Sequence, residues 1–243
     1  MNRCWLSRSL LAAQALVFLV AMASMPSAAA ETVEVAPGVQ VTKRTYPVPV
    51  NEQPFFGFTA KTEAQREADD KFLKAVLEAT GTREKALDEI IKRGWRALGA
   101  GRPNEAAQRF NQAFLLAPEQ SVVYHGFAAV TQIRFNDVDF AEELFRIAQK
   151  QPNPLKVLNA DFGRLLLIAK RPAQALPVLE QAVKDTPDFG DAWTNLAWAR
   201  LQTGDRDGAC TAAAEALTRR PSSNASVDLN RLKNDLQCKI IAD

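Results

Sequence analysis

The stretch that decides the fold runs from Gly190 to Pro221, GDAWTNLAWARLQTGDRDGACTAAAEALTRRP. It reads as two short amphipathic helices on either side of a tight turn at Thr203-Gly204-Asp205, with Trp193 opening the first. Along the second, Ala209, Ala213 and Ala216 stand four and three residues apart, which puts them on one helical face. A face that small lets another helix come close. Nothing inside the stretch is large enough to cover Trp193, Leu196 and Leu201, so the pair must stack on other units of its kind.

Such units precede it. At intervals of about 34 residues, Ala216 and Pro221 are matched by Ala182 and Pro187, then Ala148 and Pro152, then Ala113 and Pro118. In the last unit, Trp193, Asn195, Leu196, Gly204, Asp205, Ala209, Ala216, Leu217 and Pro221 follow the tetratricopeptide repeat (TPR) pattern, and the chain resembles that family. Arg200, where the family pattern has Tyr, is a departure. The unit from Lys156 carries Asn159, Gly163, Leu166, Ala175, Leu179, Ala182 and Pro187; the unit from Leu87 carries Gly94, Gly101, Ala106, Phe110, Ala113 and Pro118. The unit from Ser121 is the most worn. It keeps Tyr124, Phe127, Ala141, Phe145 and Ala148, has Asn136 for the turn glycine and carries one inserted residue. Gly101 and Gly204 suit turns that need positive φ, with Asn the next best choice. Pro103 and Pro172 fit first helical positions, and Pro118, Pro187 and Pro221 stop the second helices.

The expected fold is all-α: a right-handed TPR-like helical solenoid with a C-terminal capping helix and a short extended or β N-terminal arm. Its divisions are residues 1–30 a signal peptide, 31–60 the arm, 61–82 a degenerate half-repeat helix, then units at 87–120, 121–155, 156–189 and 190–223 within 83–221, and 224–243 the cap. In the arm, Thr32 to Val35 and Val39 to Thr42 alternate apolar with polar across Ala36-Pro37-Gly38, which suits a β-hairpin. The proline-held Tyr46 to Val50 and the phenylalanines 55, 56 and 58 follow. So dense a set of aromatics requires a covering surface: the protein's own first helices, its groove, or another chain. Thr62 and Gln65 form a capping box for a helix to about Ala79, in which Ala68, Phe72 and Ala75 repeat the spacing of Ala106, Phe110 and Ala113. Thr82 caps a longer helix to about Leu98. Pro177 falls early in its helix, where a modest bend is expected. After a polar loop at Ser222 to Ser226, a last helix from Val227 carries Leu229, Leu232, Leu236 and Ile240 on one face, as an end cap requires.

Arg3 and Arg8 precede an apolar run from Leu10 to Met22, and Ala28 and Ala30 complete an A-x-A site. This is the pattern of a secretory signal cleaved after Ala30; the run is short for a membrane span, and no membrane insertion of the processed chain is expected. Cys4 precedes the apolar run, so it is no lipid-bearing cysteine. The 30 Lys and Arg, less Arg3 and Arg8, then balance the 28 Asp and Glu. A neutral chain gives no support to nucleic-acid binding. Cys210 and Cys238 remain as an even pair in an exported, periplasmic or secreted protein, where a disulfide is expected; two buried free thiols are the alternative.

The resemblance implies that the first helices line a concave groove. The repeat register then turns Trp95, His125, Gln132, Arg164, Asp191, Thr194 and Trp198 inward as candidate contacts for a protein or peptide, large aromatics and Arg being the residues that anchor such interfaces. Ordinary packing is the competing role for Trp95 and Trp198, and local ion pairing for Arg164. TPR domains that hold the acidic tail of a chaperone use Lys, Asn and Arg where this chain has Ile91, Trp95, His125 and Ala129, which disfavours that partner. With one histidine in the chain, no multi-histidine metal site can form, and no nucleophile motif or phosphate loop occurs. The expectation is a scaffold or adaptor in the bacterial envelope, not an enzyme, and without cofactor. A self-assembling envelope component docking through its arm, or a regulatory subunit of an envelope enzyme, are the alternatives.

Overall fold

The computed structural model describes residues 31–236 and 238. The signal segment read over 1–30, and Ile240 of the cap, lie outside the described residues. Two strands, β1 (Thr32–Ala36) and β2 (Val39–Thr42), pair antiparallel with Val33 opposite Val41, and Gly38 supplies the positive φ of the turn. Ten α-helices follow among the described residues: α1 (Glu63–Thr80), α2 (Arg83–Gly99), α3 (Pro103–Leu116), α4 (Ser121–Val130), α5 (Val138–Lys150), α6 (Leu158–Ile168), α7 (Pro172–Asp185), α8 (Gly190–Gln202), α9 (Arg206–Thr218) and α10 (Ser223–Leu236). The chain is an all-α, right-handed TPR-like solenoid in which α2/α3, α4/α5, α6/α7 and α8/α9 are the helical pairs and α10 closes the stack against α8 and α9.

The small residues do what their spacing demands. Ala113, Ala148, Ala182 and Ala216 are all fully buried, so the four second helices present equivalent faces. Phe110 of α3 fills the space left by two glycines. A Cβ on Gly94 would stand 2.7 Å from its ring and one on Gly126 2.3 Å, so α2 and α4 both close on this side chain through bare backbone. Gly163 does the same for Leu179, where an added Cβ would stand 2.3 Å away. The inserted residue of the worn unit is taken up as a π turn over Thr131–Phe135, ending at Asn136 with φ of 52°.

Three expectations need correction. The last helix begins at Ser223 rather than Val227, because the Asp191 carboxylate accepts from Ser222 N and Oγ at 2.7 and 2.6 Å and fixes Ser222 as its cap. Trp193 packs against the core but is only half-buried, its Nε1 donating to Pro187 O at 2.8 Å, with the Arg219 guanidinium 4.9 Å above the ring. In α1, the Thr62–Gln65 capping box forms, but Ala68 and Ala75 are exposed while Ala106 and Ala113 are fully buried. Only Phe72, Leu73, Val76 and Leu77 of α1 lean on the core. Equal spacing there is not equal packing.

The arm is part of the protein's own core. Phe55, 5% exposed, sits among Phe114, Tyr124 and Phe127, with ring centroids 5.3, 6.0 and 4.6 Å away. Asn111 of α3, itself buried, holds the backbone around it: Nδ2 donates to Asn51 O at 3.0 Å and Gln53 O at 2.7 Å, and Oδ1 accepts from Phe56 N at 3.1 Å. Tyr46 stacks on Phe135 at 3.8 Å, and Thr42 N donates to Glu143 at 2.6 Å. These contacts offset the left-handed φ at Phe55, Phe56 and Phe58, a conformation costing about 1–2 kcal/mol per non-glycine residue. Cys210 on α9 and Cys238 beyond α10 are joined, with Cα atoms 5.8 Å apart.

Candidate binding groove

The first helices of the pairs place their C-terminal halves side by side, and two adjoining depressions run across them. One, of about 160 Å³, lies between Trp95 of α2, Gln132 and Ile133 of the π turn, and Asp161, Arg164 and Ile168 of α6, on a floor of Phe145 and Leu165. The second, of about 230 Å³, shares Arg164 and Ile168 and continues through Leu167 to Asn195, Trp198 and Gln202 of α8, with Asp228 of α10 at its end. The predicted Trp95, Gln132, Arg164 and Trp198 are thus brought to one continuous surface.

The other candidates are not on it. His125 is fully buried, its ring 4.7 Å from that of Trp95, and its Nε2 lies 2.8 Å from Asp161 Oδ2. It braces two groove residues from behind. Thr194 is fully buried and donates to Gly190 O at 3.0 Å, within α8. Asp191 is committed to Ser222. His125 and Thr194 are enclosed by packing, and Asp191 is covered by the turn into α10, so none of the three faces the depressions. Arg164 is no free clamp either: its Nη1 donates to Asp228 at 3.1 Å, tying α6 to the capping helix.

Two side chains that the sequence left unmarked dominate the surface. Ile133 is 55% exposed and Ile168 43% exposed, and both line the depressions. Ile133 could not be found by register because the π turn shifts it by one position; Ile168 is the last residue of α6, where the repeat pattern gives way to the turn. Chemically the groove is an apolar trough bounded by aromatic rings, with one ion pair and the half-exposed Asp161 as its charges. Among the described residues there is no group of three or more His, Cys, Asp or Glu placed to hold a metal ion, and no helix is long and apolar enough to cross a membrane.

Residues 161–224 match the tetratricopeptide repeat family. That segment spans most of α6, the whole of α7, α8 and α9, and the cap of α10. Among solved structures, one described as a functional characterization of Pseudomonas aeruginosa pilF aligns with a TM-score of 0.55 at 22% identity, over 64% of this chain and 71% of that one. The APC/C hetero-tetramer Cut9-Hcn1 aligns with a TM-score of 0.52 at 20% identity, over 70% of this chain but only 34% of the other. YrrB, described as a TPR protein with an unusual peptide-binding site, gives a TM-score of 0.49 at 18% identity, over 70% of this chain and 87% of that one. At these identities the likeness to the first two speaks to the fold alone. Comparison with curated protein sequences gave no match.

Proposed function

We propose that the protein is an exported scaffold of the bacterial envelope that holds an extended, apolar segment of a partner protein in the groove between Trp95 and Trp198. The observation carrying this reading is the pairing of Ile133 and Ile168. Val50, Leu217 and Val227 are the other large hydrophobics exposed among the described residues, and they stand apart in the chain; these two share one depression. Single exposed hydrophobics are ordinary, whereas apolar side chains gathered in a concavity beside tryptophans are what an interface core uses. Export is supported by the leader pattern of residues 1–30 and by a Cys210–Cys238 bond suited to an oxidising compartment.

Crosslinking from intact cells, with the wild-type chain and with the Ile133→Ser/Ile168→Ser variant, tests the groove. Both positions are exposed, so the variant keeps the core that a Trp95 substitution would disturb through Phe110. The expected outcome is partner recovery by the wild type and a loss of at least tenfold in the variant. Equal recovery of the same partners removes the groove from consideration. N-terminal sequencing of the protein from the fractionated envelope tests export, a start at Glu31 being expected; an intact Met1 in the cytoplasmic fraction refutes it.

A further inference from the structure

The π turn over Thr131–Phe135 has two faces with different neighbours. Gln132 and Ile133 line the depression beside Trp95, while the next two residues meet the N-terminal arm. Phe135 stacks on Tyr46, their ring planes 3° apart at 3.8 Å, and Arg134 pairs with Glu52, whose backbone carbonyl also accepts from Arg134 Nη1 at 3.4 Å. Both members of that ion pair are little exposed, Arg134 at 18% and Glu52 at 15%. At the far end of the turn the Tyr46 hydroxyl donates at 3.0 Å to Asp137, the residue that caps α5.

A π turn is rare, and the same inserted residue could be absorbed by fraying the end of α4, so contacts from outside must select the form observed. The turn does not satisfy itself: Thr131 is fully buried and its Oγ1 has no hydrogen-bond partner among the described residues. The selecting contacts come from the arm, which is braced where it makes them. Buried Gln53 accepts from Tyr46 N at 2.9 Å and donates to Val48 O at 2.9 Å, closing the loop that carries Tyr46 and Glu52. Asn111 fastens that loop to α3. An unbroken run of contacts therefore leads from α3 through the arm to the segment that carries Ile133.

We infer that Tyr46 and Glu52 are positioning residues for the groove: the arm holds the π turn in the form that presents Ile133 beside Trp95, and loss of that hold withdraws Ile133. The arm thereby governs two depressions that none of its residues line. That Ile133 serves binding rests on the function proposed above; that the arm sets its place does not.

A bimane fluorophore at position 133 tests this, because contact with tryptophan quenches bimane and Trp95 lines the same depression. In the full chain carrying Cys4→Ser, Ile133→Cys supplies the one free thiol, Cys210 and Cys238 being joined. With the arm intact the emission is quenched. Tyr46→Ala and Glu52→Arg each raise it at least twofold, since a turn withdrawn half of the time loses half of its quenching. Combining Glu52→Arg with Arg134→Glu restores the ion pair with its signs exchanged and returns the quenching, which a general loosening of the arm would not do; Tyr46→Phe keeps the stack and stays quenched. The inference is overturned if Tyr46→Ala and Glu52→Arg leave the emission at its starting level, or if the charge exchange fails to restore it. An Ile133→Ser/Ile168→Ser chain that still recovers its partners overturns the groove reading without touching the emission results, and unchanged emission overturns the positioning whatever the groove holds.

Discussion

Replacing Gly126 with alanine tests the packing logic of the solenoid at its tightest point. The added methyl would lie 2.3, 2.5 and 2.6 Å from Phe110 Cδ1, Cε1 and Cγ, far inside contact distance. Phe110 is fully buried and has no room to retreat, because Gly94 crowds the same ring from α2, where a Cβ would stand 2.7 Å away. Overpacking of this kind costs about 1–3 kcal/mol, and a ring held on two sides belongs at the upper end. Alanine returns up to about 1 kcal/mol in helix propensity. The net is a destabilisation of about 2 kcal/mol, which for a chain of this size lowers the melting temperature by about 4–8 °C in thermal unfolding followed by circular dichroism. Gly99→Ala is the control: nothing lies within 4 Å of its added methyl, so it leaves the melting temperature unchanged or raises it. Combining Gly126→Ala with Phe110→Leu relieves the clash, so the double variant is more stable than the sum of the two single effects requires. A Gly126→Ala protein that melts at or above the wild-type temperature, or strict additivity with Phe110→Leu, would refute the reasoning.

Three further outcomes follow from the same contacts. Cys210→Ser removes a crosslink with a sequence separation of 28 and destabilises the α9–α10 end by about 3–4 kcal/mol in the chain-entropy picture, seen as faster amide exchange in those helices; unchanged exchange would show that packing of Leu229 and Leu232 suffices. Burial raises the phenols of Tyr46, with Asp137 beside it, and of Tyr124, the chain's two tyrosines, so the unfolded chain releases these protons first and their contribution, complete below about pH 10, falls as pH rises further. Tyr46→Phe therefore flattens the alkaline decline of the melting temperature, and an undiminished slope would contradict the shift. Asn111→Ala strips three hydrogen bonds from the arm and leaves backbone groups unpaired at about 1–3 kcal/mol each, so limited proteolysis between Arg44 and Lys61 accelerates while α6–α9 stay protected; uniform protection would argue against the anchor.

The fold was legible where one residue type has one physical use. Ala113, Ala148, Ala182 and Ala216 mark close helix approaches because only a small side chain permits them, and all four are buried. Asn136 could be read as a left-handed turn residue for the same reason. The arm was less legible because its path is set by contacts distant in sequence. Nothing near Phe55 announces Asn111, and left-handed phenylalanines run against every local preference. Likewise α1 shows that helical periodicity predicts a helix without predicting what covers it: Ala68 and Ala75 repeat the repeat spacing with no neighbouring second helix pressed against them.

The groove shows where register reasoning stops. A repeat assigns each position to a side of the solenoid, and Trp95, Arg164 and Trp198 line two adjoining depressions. Exposure within that side depends on what crosses it. At α8 the capping segment takes Asp191 through Ser222 and reaches Arg164 through Asp228, so end-of-stack geometry consumes polar groups that in an interior unit would face a ligand. At α4 the single inserted residue widens one turn and swings Ile133 into the depression. The most exposed apolar contact of the site therefore arises at the worn unit, where the repeat pattern is weakest. Restoring a standard turn there by deleting one residue of Thr131–Phe135 would withdraw Ile133 from the groove while leaving Trp95 and Trp198 in place, which separates the contribution of the departure from that of the repeat itself.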